Sequence, residues 1–189
     1  MDAGGGNNYQ LIGTTQFLSV PYALYAFKSG SNCGYKVGDN VQALGGYIFY
    51  LDPSGCHGLV ADVTDLGFIP WSLSNTVTKA IADWIVGGRS NTNRIIAVNG
   101  FSNSPAADAC KASTAHGFTD WYLPSKIELN MMYVNLHLSG LGGFTISTFS
   151  YWSSTEQVNY AAWDQNFSNG TYAGDVKTYP NFVRAIRSF

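Results

Sequence analysis

Charge is what this chain has least of. Only 12% of its 189 residues are Asp, Glu, Lys or Arg, about half the share of an ordinary globular domain. Lys and Arg together number 10 and Asp and Glu 12, a net charge of −2. That leaves no basic patch to neutralise phosphates, which argues against a nucleic-acid partner. Long apolar runs are missing too, since none approaches the roughly 18 residues of a membrane span. Cysteine is sparse and odd in number: Cys33, Cys56 and Cys110 make no complete disulfide framework and match no metal motif. One bridge with one free thiol and three buried free thiols both fit. Catalytic signatures are absent as well. The chain has no G-x-S-x-G, no P-loop and no dinucleotide fingerprint. His57, His116 and His137 have no cysteine or carboxylate at ligand spacing, so no metal or other cofactor is expected. Among the acids that suggest a paired-carboxylate site, Asp62, Asp65, Asp120 and Glu128, the last reads better as a helix cap and Asp120 as a turn or buried hydrogen-bonding residue. Ser153 and Ser154 stand near nothing that reads as a base. The expectation is a protein that is not an enzyme.

What the chain does have is 46% hydrophobic residues, 15% aromatics and 21 glycines. That is enough for one core of ordinary size, under a surface of loops that bind through polar and aromatic contacts. Residues 1–8 are rich in Gly and Asn and read as disordered, an expression scar or a cut from a longer chain, with no signal peptide. Residues 9–28, YQLIGTTQFLSVPYALYAFK, are apolar, and Pro21 interrupts any long helix. They read as a strand and helix packed on the domain, or as a junction whose apolar face partner chains cover. Residues 9–43 together form a junction and linker, and 44–189 the main domain.

Within that domain, Gly46–Asp52 is a strand, a Pro-Ser-Gly turn follows, and 58–63 is the second strand of a hairpin. Trp71 is a core anchor. Thr78–Val86 reads as a short helix with Ala80, Ile81 and Trp84 on one face, and Asn91–Val98 as another with Ile95 and Ile96 inward. Ser104-Pro105 starts a helix that runs to about Ala115 and ends at Gly117. Trp121–Leu123 is a short strand. Ser125 and Glu128 form a capping box, so a helix starts at Lys126, with Ile127, Leu129, Met131, Met132 and Leu136 on its apolar side. Residues 139–148 are a glycine-rich loop.

The stretch from Ser150 to Phe189 organises the rest. YWSST, AAWDQNF and FVRAIRSF are β-prone, and Trp121, Tyr151, Trp152 and Trp163 read as core. Arg184 and Arg187 should pair with inner carboxylates or carbonyls. Between these frame pieces, residues 157–181 are crowded with turn-forming and hydrogen-bonding side chains. Asn159, Tyr160, Asp164, Asn166, Ser168, Asn169, Thr171, Tyr172, Asp175, Thr178, Tyr179 and Asn181 are the candidate ligand-binding residues. Tyr supplies rigid contact area and Ser and Asn adaptable hydrogen bonds. Trp163, Phe167 and Val176 read as inward anchors of this display, with Asp164, Asn166, Ser168, Thr171, Tyr172 and Tyr179 outward.

GGYIFYLD, HGLVA, GFTDWYLPSKIELNMMY, YWSSTE, AWDQNFSNG and FVRAIRSF stand in the order seen in the C-terminal domain of Legionella collagen-like adhesins, which residues 44–189 resemble. The resemblance implies an α+β, C-type-lectin-like fold: small mixed antiparallel sheets, flanking helices and long loops. Its N- and C-terminal strands would be paired, FVRAIRSF beside GYIFYLD. LIGTTQFLSVPYALYA is similar to a junction before such heads in surface and tail-fibre proteins of Bacteroidetes-type bacteria and their phages, where it follows a fibrous stalk. The C-terminal region also resembles the variable region of retroelement-diversified proteins. The resemblance implies an extracellular recognition head, on a cell surface or a phage or injection-system fibre. Its partners would be a cell-surface glycan or protein receptor, the stalk, and itself as a homotrimer. The alternatives are a structural tip without a specific ligand and a formylglycine-generating-enzyme-like enzyme. The acid-amide motifs of calcium-dependent lectins are not matched, and the few basic residues do not suit a sulfated polysaccharide.

Overall fold

A computed structural model describes residues 33–189 of the chain. The expectations for residues 1–8 and 9–28 lie outside that range. In order, the strands are β1 (Asn40–Val41), β2 (Gly46–Leu51), β3 (Gly58–Ala61), β4 (Gly67–Pro70), β5 (Tyr151–Val158), β6 (Ala161–Gln165), β7 (Tyr172–Val176), β8 (Pro180–Val183) and β9 (Ile186–Ser188). The helices are α1 (Gly87–Asn99), α2 (Pro105–Ala112) and α3 (Lys126–Asn135), between β4 and β5. Two sheets result, one ordered β1-β2-β3-β9 and one ordered β4-β8-β5-β6-β7. The second is mixed, because β5 and β8 run parallel at Tyr151 and Phe182.

The expected 46–52/58–63 hairpin forms as β2–β3, with a register shift between Ile48 and Tyr50. The last strand lies beside a different partner from the one expected. β9 pairs with β3, through Leu59↔Ser188, Val60↔Arg187 and Ala61↔Ile186, and not with β2. The outer edge of β2 is already taken by β1 and by the backbone before it: Gly38 N–H donates to Ile48 C=O at 2.8 Å, and Ile48 N–H to Asp39 C=O at 2.9 Å. FVRAIRSF is also not one strand. It crosses between the sheets at Arg184-Ala185, where the buried Arg184 guanidinium bonds Asp65 at 2.7 Å and the carbonyls of Asp62, Gly142 and Gly143. Arg187 does the same for Asp120, at 2.7 Å, and the Leu44 carbonyl. Residues 33–43, read as linker, are part of this fold. They contribute β1 and the Cys33–Cys56 disulfide, while Cys110 is a buried free thiol.

The core has two parts. One gathers Trp71, Ile95, Cys110, Trp121, Leu123 and Trp152, the other Phe49, Leu59, Tyr122, Met132, Tyr151 and Phe167. The capping box at Ser125 and Glu128 forms as read, and α3 starts at Lys126. Leu129, Met132 and Leu136 are buried under it, but Ile127 is exposed. Helix α2 stops at Ala112, short of the expected 115, and its N-terminus is held by Asp108, which accepts from Ser102 and Ser104 N–H. Trp121–Leu123 makes only a single bridge, Tyr122↔Ile186.

The helix expected over 78–86 does not form. Buried side chains from elsewhere take its backbone groups first. Glu156 accepts from Thr78 and Lys79 N–H, Asn91 bonds both backbone groups of Ala82, and Glu128 accepts from Val86 N–H. Lys79 and Val86 sit at φ 57° and 67°, a left-handed conformation that no α-helix accommodates. Ala80 is buried, but Ile81 and Trp84 are 70% and 62% exposed.

Candidate functional site

Two local arrangements build the candidate site of the head. The first is the junction of 82–86 with the start of α3. Glu128 is wholly buried, and its carboxylate accepts from Val86 N–H (2.7 Å), Gly88 N–H (3.1 Å), Ser125 N–H (2.7 Å) and Tyr122 O–H (3.2 Å). Burial pushes its carboxyl pKa up, and the three backbone donors oppose that shift. A Cβ on Gly88 would stand 2.5 Å from Glu128 Oε2 and 2.5 Å from Leu123 O, so only glycine lets α1 approach this carboxylate. Asp83 then caps the helix from outside, accepting from Ile127 N–H at 3.0 Å. Trp84 is left facing solvent.

The second arrangement is the β6–β7 pair. Trp163 stands opposite Gly174, and Gln165 opposite Tyr172. Gly174 has no side chain of its own over this pair, the Gln157 side chain fills that space, and Trp163 is half-buried. Lys126, the first residue of α3, lays its ammonium 3.8 Å from the centre of the Trp163 ring and 5.0 Å from that of Tyr172. The Tyr172 hydroxyl is pushed up to about 12 by partial burial and by the Asp83 carboxylate. The Asp83 bond to Ile127 N–H and the Ser125 hydroxyl donating to Trp84 C=O at 3.2 Å place residues 83–84 beside the start of α3, where Lys126 meets Trp163 and Tyr172.

The twelve display residues do not share a single surface. Asn159 and Tyr160 occupy the β5–β6 turn, and Thr178 and Tyr179 the β7–β8 turn. These turns are joined by Lys177 N–H donating to Tyr160 C=O at 2.9 Å. Asn166, Ser168, Asn169 and Thr171 lie in the β6–β7 turn, at the other end of a strand about 17 Å long. There the Asn166 amide ties back to the carbonyls of Ser147, Thr148 and Phe149. Tyr172 alone reaches the aromatic surface. Asp164, expected outward, and Asn181, a candidate ligand-binding residue, are each only 2% exposed. The Asn181 amide donates to Asp175 at 3.0 Å and accepts from Ser150 N–H at 3.1 Å. Asp164 lies on the same face of the sheet as Asp175, with its Oδ2 buried and unpaired. Its carboxyl is pushed up to about 6, chiefly by burial, with the Asp175 charge adding to the shift. Of the expected inward anchors, Phe167 is buried, but Trp163 and Val176 are only half so.

Sequence reasoning missed Asp83, Trp84, Lys126 and Ile127. The capping box was a usable signal for Lys126, because it fixed where α3 begins. Nothing local tied residues 83–84 to Trp163. The other reactive groups look structural. Cys110 is fully buried, and both burial and the nearby Asp62 charge drive its thiol pKa up. His116 Nε2 lies 3.4 Å from Asp62. Among the described residues no group of three or more His, Cys, Asp or Glu is placed to hold a metal.

Together these features define an α+β head of two small sheets and three helices, with an exposed aromatic surface at the start of its third helix. The Lcl C-terminal domain family matches residues 71–187, more than half of the chain, and the chain belongs to that family. No curated protein matches it. Among solved structures, a fimbrial protein from Bacteroides ovatus ATCC 8483 aligns with 16% identity and a TM-score of 0.49, over 88% of this chain and 41% of that one. This chain thus spans well under half of that protein's length.

Proposed function

We propose that this domain is the receptor-recognition head of an extracellular adhesin or fibre. It takes a cell-surface glycan or protein on the surface made by Trp84, Asp83, Lys126, Trp163 and Tyr172. The observation that carries the reading is that exposed Trp84 and Tyr172 stand beside the start of α3, where the Lys126 ammonium lies over the Trp163 and Tyr172 rings. Trp84 is 62% exposed and Tyr172 38% exposed, although burying such rings is the usual outcome of folding. Trp and Tyr are also the residues on which recognition surfaces most depend. A structural tip needs no such arrangement. Membership of the Lcl C-terminal domain family supports the adhesin reading, and the Cys33–Cys56 bridge suits an oxidising, extracellular setting. The C-type-lectin-like assignment, the stalk and a homotrimeric assembly belong to this proposal and rest on the resemblance of the sequence.

The test is adsorption of purified head to a panel of candidate target cells. A Trp84→Ala/Lys126→Ala/Tyr172→Ala variant should melt within about 1–2 kcal/mol of the parent, because its side chains are largely exposed. It should lose at least ~tenfold in adsorption. A variant that folds and adsorbs as tightly as the parent removes this surface from recognition.

A further inference from the structure

The outer edge of β7 is open at one short stretch, which the hydrogen bonds of the β6–β7 ladder locate. Asn166 N–H donates to Thr171 C=O, and Lys177 N–H to Tyr160 C=O. These fix the hydrogen-bonded pairs of the β6–β7 ladder at 171, 173, 175 and 177. Tyr172, Gly174 and Val176 are therefore the residues whose backbone groups point away from β6. Val176 is satisfied locally, its N–H by the Asp175 carboxylate at 2.7 Å and its C=O by Tyr179 N–H at 2.9 Å. That leaves the N–H and C=O of Tyr172 and Gly174, on a strand with no second neighbour among the described residues.

The other sheet edges in the described residues are protected. β1 has two residues, β9 three, and β4 ends in Pro70. β7 is the longest edge, at five residues, and carries neither Lys nor Pro nor a bulge, the usual devices that blunt an edge. The open stretch also adjoins the aromatic surface. A strand added there would lie about 4.8 Å beyond β7. Its side chains on the Tyr172 face would meet that ring, and at Gly174 they would meet the Gln157 side chain, which fills the space a Cβ would take. The Gln157 amide lies over Gly174 and offers a further hydrogen-bonding group. The Lys126 ammonium is held over Trp163 and Tyr172, and no carboxylate of the described residues lies within ion-pairing distance of it.

We infer that the head recognises an extended polypeptide segment that adds to the β7 edge at Tyr172 and Gly174. An acidic side chain of that segment would sit on the Trp163–Tyr172 surface against Lys126. The inference rests on the recognition reading above and names its ligand as a protein strand. Main-chain hydrogen bonds supply affinity in this mode, and the side-chain pocket supplies selectivity.

The probe is a phage-displayed library of random dodecapeptides panned on the head, with the enriched peptides then synthesised and measured by fluorescence anisotropy. The expected peptides are β-prone and carry Asp or Glu at alternate positions. Gly174→Pro deletes one edge N–H and should weaken binding at least ~tenfold. Lys126→Gln should erase the preference for acidic peptides. N-methylating alternate amides of the peptide should abolish binding in one of the two possible registers, a result that needs no protein variant and so stands if Gly174→Pro misfolds. The inference is overturned if panning enriches nothing, or if peptide N-methylation in either register leaves affinity unchanged. It is also overturned if a glycan array is bound in a way that depends on Trp163 and Tyr172 but not on Gly174. The recognition reading survives all three results provided the triple alanine variant still loses cell adsorption.

Discussion

At the scale of single residues, buried carboxylates decide much of this structure, and they make opposite predictions. Glu128 gathers four donors from three segments. Replacing it with Ala strands those donors in a buried place, so Glu128→Ala should cost on the order of 3–5 kcal/mol, read as a fall in the urea midpoint. Asp164 is the reverse case. Its folded pKa, about 6, stands above the ordinary 3.8, so the folded state holds the proton more tightly than the unfolded chain does. Asp164 therefore costs stability fully above about pH 6, and the cost is relieved as pH falls toward 4. Asp164→Asn should raise the parent's stability at pH 8 by roughly 1–3 kcal/mol and change little at pH 4. Melting curves of both proteins across that range check it, and a variant no more stable at pH 8 would contradict the burial argument. The outward reading of Asp164, and the choice of Asn181 as a display residue, failed for a related reason. In a polar stretch, side-chain chemistry was taken as exposure, yet both are buried, and Asn181 is held by Asp175 and by the distant Ser150 backbone.

At the scale of elements, what was legible in the sequence is what local chemistry dictates. The capping box fixed the start of α3, the β2–β3 hairpin followed from two apolar runs around Pro-Ser-Gly, and Pro105 marked the start of α2. The segment 78–86 was not legible, because its amides belong to Glu156 and Glu128, distant in sequence, and to Asn91 on the next helix. For the same reason the aromatic surface was only partly visible: Tyr172 was picked out as exposed, but Trp84 was assigned to the buried face of a helix. The terminal segment was recognised as closing the domain, while its division between two sheets at Arg184 was not. That division sharpens a prediction. β8 and β9 serve different sheets, so deleting residues 183–189 removes β9, Arg184 and Arg187 together. The truncated head should lose cooperative melting. Retention of a sharp transition would mean that neither the β3–β9 pairing nor the Arg184 clamp is needed for folding.

At the scale of the whole molecule, the central claim is that the recognition surface is the aromatic junction of 83–84, the start of α3 and β6–β7. A homotrimer on a stalk is the assembly proposed to present it, and multi-angle light scattering of the full chain should return three protomer masses; a monomer would set that assembly aside. The surface itself is tested most directly by proximity. A photo-crosslinking amino acid is placed in turn at Trp84, at Tyr172 and, as a control as exposed as Trp84, at Leu138, in the turn that follows α3 and 63% exposed. Each head is bound to adsorbing cells and irradiated. The account predicts that positions 84 and 172 capture the same cell-surface component and that 138 does not. Capture from 138 alone, or no capture from 84 and 172 by heads that adsorb normally, would contradict it.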